Sequence, residues 1–126
     1  MKSKTSLSLL FTVIYLSIFS GSYAEEGEKA AANPLADFER IIGGQWRFEG
    51  SRQEFEWGVG RRSVVGRSYF DVNDETRLVS EGLWYWHPGE AKIKGVFTAR
   101  DMPVDLFDYT TRFEDDQMIS ELVAYA

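Results

Sequence analysis

Cysteine is absent from the 126 residues, and there is a single histidine, His87. The absence of thiols excludes disulfide bonds, thiolate catalysis and thiolate metal sites. His87 precedes Pro88-Gly89, a pair that fits the central positions of a type II turn. We therefore interpret it as an exposed turn residue rather than a haem or zinc ligand. The sequence predicts no cofactor and no metal site.

Basic residues are also few, with 14 lysines and arginines against 20 acidic residues and a formal net charge of −6. Binding to nucleic acid depends on a basic face that neutralises phosphates, and adsorption to anionic lipid needs one as well. Both functions are disfavoured.

The first 24 residues have the pattern of a secretory signal peptide. Lys2 and Lys4 form a positive start, residues 7–19 are almost continuously apolar, and Ser22-Tyr23-Ala24 supplies a cleavage site. The apolar run is shorter than the about 20 residues that span a bilayer. We expect a secreted, periplasmic mature protein with no membrane span. Cleavage would leave 12 basic and 20 acidic residues.

The remaining chain predicts a flexible leader over residues 25–33 and one domain over residues 34–126. Hydrophobic residues make up 44% and aromatic residues 15%, which indicates a packed globule. Pro34 opens a short amphipathic helix with Leu35, Phe38, Ile41 and Ile42 on one face, and Gly43-Gly44 ends it.

Everything after Gly44 reads as strands, because apolar and polar residues alternate in short runs separated by turn residues. The predicted runs are 45–49, 54–57, 62–70, 77–86, 92–100, 106–113 and 117–125. One helix and seven strands spaced about ten residues apart predict an all-β fold, an up-and-down antiparallel meander. Small barrels close with about eight strands. The alternatives are an open barrel, an edge supplied by a partner, or a longer product that contains the last strands.

Gly44-Gln45-Trp46 after a short helix resembles the opening of lipocalins and other calycin-type barrels. The segments IIGGQWRFEG, EFEWGVG, SVVGRSYF and SEGLWYW are similar to those of small secreted bacterial proteins of unknown function. The resemblance covers residues 35–125 and implies a lipocalin-like barrel or half-barrel in which Trp46 plugs one end. The basic residue that packs over this tryptophan from the last strand in lipocalins has no evident counterpart here. The resemblance implies no reaction.

Aromatic residues on the strands predict a pocket for a small apolar ligand. The candidate ligand-binding residues are Trp57, Tyr69, Glu81, Trp84, Trp86 and Phe97. The alternative is that these rings simply fill a small core. Trp84, Tyr85 and Trp86 are consecutive, so they cannot all face inward on a strand.

Carboxylates on the predicted strands suggest an enzyme as the alternative to a binding protein. Glu81 lies between Val79 and Leu83 on its face, and Glu121 lies between Ile119 and Val123. Two desolvated acids in one cavity would suit an isomerase or hydrolase. Cross-strand ion pairs with arginines such as Arg67, Arg77 or Arg112, or an outward-facing polar row, are the favoured explanation, and no residue is assigned as catalytic.

Three functions remain open at this point. The leading hypothesis is a secreted binding module for a small apolar molecule. The others are a carboxylate enzyme on a curved sheet and a structural protein that forms a homodimer through the strand 117–125.

Overall fold

The computed structural model describes residues 32–126 and the two-residue strand Leu16–Ser17. The rest of the predicted signal peptide and leader lies outside the described residues. One sheet contains eight strands in the order β1-β8-β7-β6-β5-β4-β3-β2. The strands are β1 Leu16–Ser17, β2 Gln45–Phe48, β3 Ser51–Trp57, β4 Ser63–Val72, β5 Glu75–His87, β6 Lys92–Ala99, β7 Leu106–Glu114 and β8 Gln117–Tyr125.

Strands β2 to β8 form an antiparallel up-and-down meander curled into a half-barrel. Each pairs with its neighbour in sequence, as alternating runs joined by short turns require. The all-β prediction and its seven runs are confirmed. The bounds of the last strand agree, whereas β5 extends past the predicted run at both ends, to Glu75 and His87.

The predicted amphipathic helix is a 3-10 helix at Ala36–Arg40 rather than an α-helix. Phe38 within the helix and the flanking cap residues Leu35 and Ile41 are buried. They recur at every third position, which matches the three residues per turn of a 3-10 helix. Gly43 follows with a φ of 83°, a left-handed conformation that glycine adopts without strain, and the chain turns into β2. A second short 3-10 helix, Val59–Arg61, connects β3 to β4.

The turn between β5 and β6 differs from the type II prediction. A type II turn would place Gly89 at positive φ, but the residue at positive φ is Ala91, at 51°. The His87 side chain takes part instead, because its Nδ1 accepts a hydrogen bond from the Glu90 backbone N–H at 3.1 Å.

The core lies on the concave face, centred on Trp84. Its ring centroid is 4.5 Å from that of Phe97, 5.8 Å from that of Phe55 and 5.4 Å from that of Phe38 on the 3-10 helix. Phe38 is fully buried and also packs edge-on against Phe113 at 5.0 Å. The 3-10 segment therefore covers part of the concave face. No described helix is long and apolar enough to cross a membrane.

Candidate functional site

A cavity of about 100 Å³ lies on the concave face of the half-barrel. Its apolar wall consists of Phe55, Trp84, Phe97, Tyr109 and Met118. Its polar wall consists of Gln53, Ser68, Ser80 and Ser120. Gly66 and Arg67 complete the lining, and the Arg67 side chain lies on the convex face. Binding pockets for small molecules share this character, mostly apolar with a few polar groups. The volume is below the about 300 Å³ at which drug-sized pockets begin.

Two glycines let the Trp84 ring lie flat against the sheet. A Cβ atom at Gly66 would lie 2.8 Å from Trp84 Cζ3, and one at Gly95 would lie 2.9 Å from Trp84 Nε1. Both distances are too short for a real side chain. Strands β4 and β6, which pair with β5 on either side, therefore need glycine at these positions for the indole to occupy the wall of the cavity.

A buried chain of hydrogen bonds joins β5, β7 and β8 behind the cavity. The Trp84 indole N–H donates to Thr111 Oγ1 at 3.1 Å, and Thr111 Oγ1 lies 2.8 Å from Ser120 Oγ. Thr111 and Ser120 are the buried polar residues among those described, with 3% and 7% of their surface exposed. Buried hydroxyls cost free energy unless they are paired, and this chain pairs them with the indole and with each other.

Tyr109 places a phenol beside the same cavity. Its ring packs edge-on against Phe97 at 5.2 Å and against Trp84 at 6.3 Å. Burial raises the pKa of the Tyr109 phenol above its ordinary value of about 10, because ionisation in an apolar environment is unfavourable. The phenol is thus neutral at physiological pH and available as a hydrogen-bond donor.

Of the six predicted ligand-binding residues, the structure brings Trp84 and Phe97 together at the cavity. Trp86 shares the concave face, opposite Ile93, but lies outside the cavity with 37% of its surface exposed. Tyr85 pairs with Ser63 and Lys94 on the convex face, so the three consecutive rings are divided between the two faces as expected.

Trp57 and Tyr69 are held by other contacts. The Trp57 indole N–H donates to Glu39 Oε2 at 2.9 Å, which ties the end of β3 to the 3-10 helix. Tyr69 lies on the convex face, where the Arg52 guanidinium stacks 4.4 Å from its ring centroid. Neither residue lines the cavity.

Trp46, the predicted barrel plug, is half-buried and packs against the core cluster. Its indole N–H donates to the Ile41 carbonyl at 3.0 Å, which connects β2 to the end of the 3-10 segment.

Glu81 and Glu121 both lie on the convex face. The inward orientation that the ligand-binding assignment implied for Glu81, and that the enzyme alternative required of both, is therefore wrong. Glu81 pairs in register with Arg67, whose Nε lies 3.7 Å from Glu81 Oε2. Glu121 Oε1 lies 3.6 Å from Arg112 Nη1. Strands β5 and β8 are also three strand spacings apart, about 14 Å along the sheet. The two carboxylates do not share a cavity.

The two faces of these strands are alike in sequence. Leu83 and Val123 lie on the convex face in one row with Val65 and Val96, and all but Val65 are more than a third exposed. Since both faces carry apolar residues, alternation alone did not identify the inner one.

The two buried hydroxyl residues at the site, Thr111 behind the cavity and Ser120 on its wall, were not predicted from sequence. Thr111 shares a face with the aromatic residues of β7, and Ser120 lies between Met118 and Leu122 on β8. The sequence does contain a signal for these two residues, because β7 and β8 are neighbouring strands and each carries a hydroxyl residue on an otherwise apolar face.

No group of three or more histidine, cysteine, aspartate or glutamate side chains within the described ranges is arranged to hold a metal ion. The side chains that line the candidate site are aromatic rings, the Met118 thioether, hydroxyls and one amide.

Comparison with family models, curated proteins and solved structures finds no match for this chain. No family is identified for the half-barrel, and the likeness to calycin-type barrels stays a prediction from sequence.

Proposed function

We propose that this protein is a secreted binding module for a small, mainly apolar molecule of about the size of a five-membered ring. The observation that carries the proposal is the cavity of about 100 Å³ walled by Phe55, Trp84, Phe97, Tyr109 and Met118. An apolar cavity of about 150 Å³ stays dry and accepts benzene, so a somewhat smaller ligand fits here. Secretion rests on the signal-peptide pattern of residues 1–24.

This size differs from what the lipocalin-like hypothesis suggests. Calycin-type barrels enclose their ligand within a closed wall of strands, whereas seven strands form a half-barrel here. The proposed likeness is limited to the arrangement of a short helical turn, Trp46 and an antiparallel meander.

The proposal is tested by titrating the protein with methylenecyclopentane and with lauric acid. The tryptophan indole N–H signals in ¹H–¹⁵N spectra report binding, and the Trp84 signal is identified by replacing the other tryptophans with phenylalanine one at a time. We expect a dissociation constant on the order of 1 mM for methylenecyclopentane, which has six heavy atoms and gains about 4 kcal/mol. Lauric acid should not compete.

Two matched variants locate the site. Ser68→Leu adds volume inside the cavity, and Thr98→Leu adds the same side chain at an exposed position on the convex face of β6. Binding should be lost in the first variant and kept in the second. Equal binding by both variants would show that the ligand lies elsewhere.

A second candidate function is homodimerisation through β8. Leu16–Ser17 pairs antiparallel with Met118 and Gln117 on the outer edge of β8, so this edge accepts a strand. Leu16–Ser17 falls within the predicted signal peptide, and its removal would free that edge. The β8 strand of a second copy would then pair with it and satisfy the backbone groups.

A further inference from the structure

The Thr111 and Ser120 hydroxyls carry two hydrogens, and only one of them takes part in a hydrogen bond within residues 32–126. The Trp84 indole nitrogen can only donate, so Thr111 Oγ1 is the acceptor in their 3.1 Å hydrogen bond. Thr111 Oγ1 and Ser120 Oγ share one hydrogen across 2.8 Å. Two hydroxyls carry two hydrogens, and no acceptor in residues 32–126 bonds the second one.

Donation from Thr111 to Ser120 leaves the second hydrogen on Ser120. An oxygen that accepts a hydrogen bond becomes a better donor, so the bond from Trp84 favours donation from Thr111 to Ser120. Thr111 is 3% exposed and does not line the cavity, whereas Ser120 does. The Ser120 O–H is then directed into the cavity.

The other hydroxyl groups on the wall belong to Ser68, Ser80 and Tyr109, and all three residues are less buried than Ser120. The Ser68 hydroxyl has no hydrogen-bond partner within residues 32–126 and is available as a further donor. Ser80 Oγ already donates to the Thr98 carbonyl at 2.9 Å, so its hydrogen is used within the sheet. Tyr109 carries a phenol on the same wall as Ser120 and can add a second donor. The buried end of the cavity therefore offers donors to a ligand.

We propose that the cavity selects ligands that present a hydrogen-bond acceptor, such as a ring ketone, to Ser120 Oγ. This inference rests on the proposed binding function and names the chemical class of its ligand. An acceptor oxygen in the cavity satisfies the Ser120 hydrogen, while a hydrocarbon of the same shape leaves it unpaired, at a cost in affinity.

Cyclopentanone and methylenecyclopentane have nearly the same shape, but the first has a C=O group where the second has C=CH₂. The difference between their dissociation constants therefore reports the hydrogen bond to the acceptor oxygen. We expect cyclopentanone to bind the wild-type protein about threefold to tenfold more tightly in the indole titration. Ser120→Ala should bring the two dissociation constants within about twofold of each other. Ser80→Ala, which removes a hydroxyl from the same wall, should keep the preference.

The remaining outcomes separate this inference from the function on which it rests. Equal binding of the two probes to wild type overturns the acceptor preference and leaves the binding function in place. No binding of either probe overturns both. A preference that survives in Ser120→Ala but disappears in Tyr109→Phe overturns the assignment to Ser120. If Ser120→Ala does not fold, Ser120→Cys keeps the side-chain size with a weaker donor and should reduce the preference.

Discussion

The indole N–H of Trp84 on β5 reaches Thr111 Oγ1 on β7, at 3.1 Å, by passing over the intervening strand β6 at Gly95. Gly95 pairs with Trp84 on one side and with Tyr109 on the other. A hydrogen bond between strands that are not neighbours in the sheet is possible because β6 presents only backbone at that point. It connects the centre of the core to the hydroxyls at the cavity.

Replacement of Thr111 by valine should destabilise the protein by about 1–3 kcal/mol, because it leaves the buried Trp84 N–H without an acceptor. Chemical denaturation measures the free energy of unfolding. Thr110→Val is the matched control on the convex face of the same strand, where Thr110 Oγ1 accepts from Lys94 Nζ at 3.0 Å. It should cost about 1 kcal/mol or less. Equal losses for the two variants would contradict a special role for the buried bond.

Gly95→Ala should lose about 1–3 kcal/mol of stability, since its Cβ would lie 2.8 Å from Trp84 Cδ1 and displace the ring. Because the same displacement breaks the bond to Thr111, the double variant Gly95→Ala/Thr111→Val should lose less than the sum of the single variants. Gly44→Ala, whose Cβ would lie at an ordinary 3.8 Å from Trp46 Nε1, serves as the control and should change stability by about 0.5 kcal/mol or less. Strict additivity in the double variant would refute the coupling.

Alkaline pH should destabilise the protein partly through Tyr109. Burial raises the pKa of this phenol in the folded state, so the folded protein holds its proton to higher pH than the unfolded chain. The resulting stability is complete below about pH 10 and is lost as the pH rises through the folded-state pKa. Lys94, whose pKa is raised by its hydrogen bond to Asp108, contributes in the same direction.

Tyr109→Phe separates the two contributions, because it removes the phenol and keeps Lys94. Urea denaturation at pH 9 and pH 11 should show a smaller loss of stability in the variant than in wild type. The same loss in both proteins would mean that Tyr109 ionises equally easily in the folded and unfolded states.

Assembly through β8 predicts that the secreted mature protein is a dimer by native mass spectrometry. Val123 on β8 and Val96 on β6 lie in one row on the convex face, and each is 38% exposed. Val123→Lys places like charges at the proposed interface and should give a monomer, whereas Val96→Lys on the interior strand should remain dimeric. A monomeric wild-type protein would exclude this assembly at the concentration measured.

The strands could be predicted from sequence with nearly correct bounds, because a period of two and polar turns are local signals. Burial of Leu35, Phe38 and Ile41 could also be predicted, because their spacing indicated one apolar face. The kind of helix was not predicted, although a spacing of three favours a 3-10 helix.

The candidate site was predicted only in part. Trp84 and Phe97 are large rings on strongly alternating strands, and both line the cavity. Glu81 was assigned to the inner face, but the structure places it beside Arg67 outside, because an apolar row on the convex face makes the two sides of β5 look alike in sequence.

The amino-acid sequence by itself determined an antiparallel β meander with an aromatic core, because side-chain alternation and turn residues act over a few neighbouring positions. Only the tertiary structure decided which face is concave, how far the seven strands curl, and that Thr111 and Ser120 meet Trp84 beside a small cavity. Those contacts join residues up to 27 positions apart in sequence, across β5, β7 and β8. They depend on sheet curvature and on a glycine beneath the indole, neither of which is a local property of the chain.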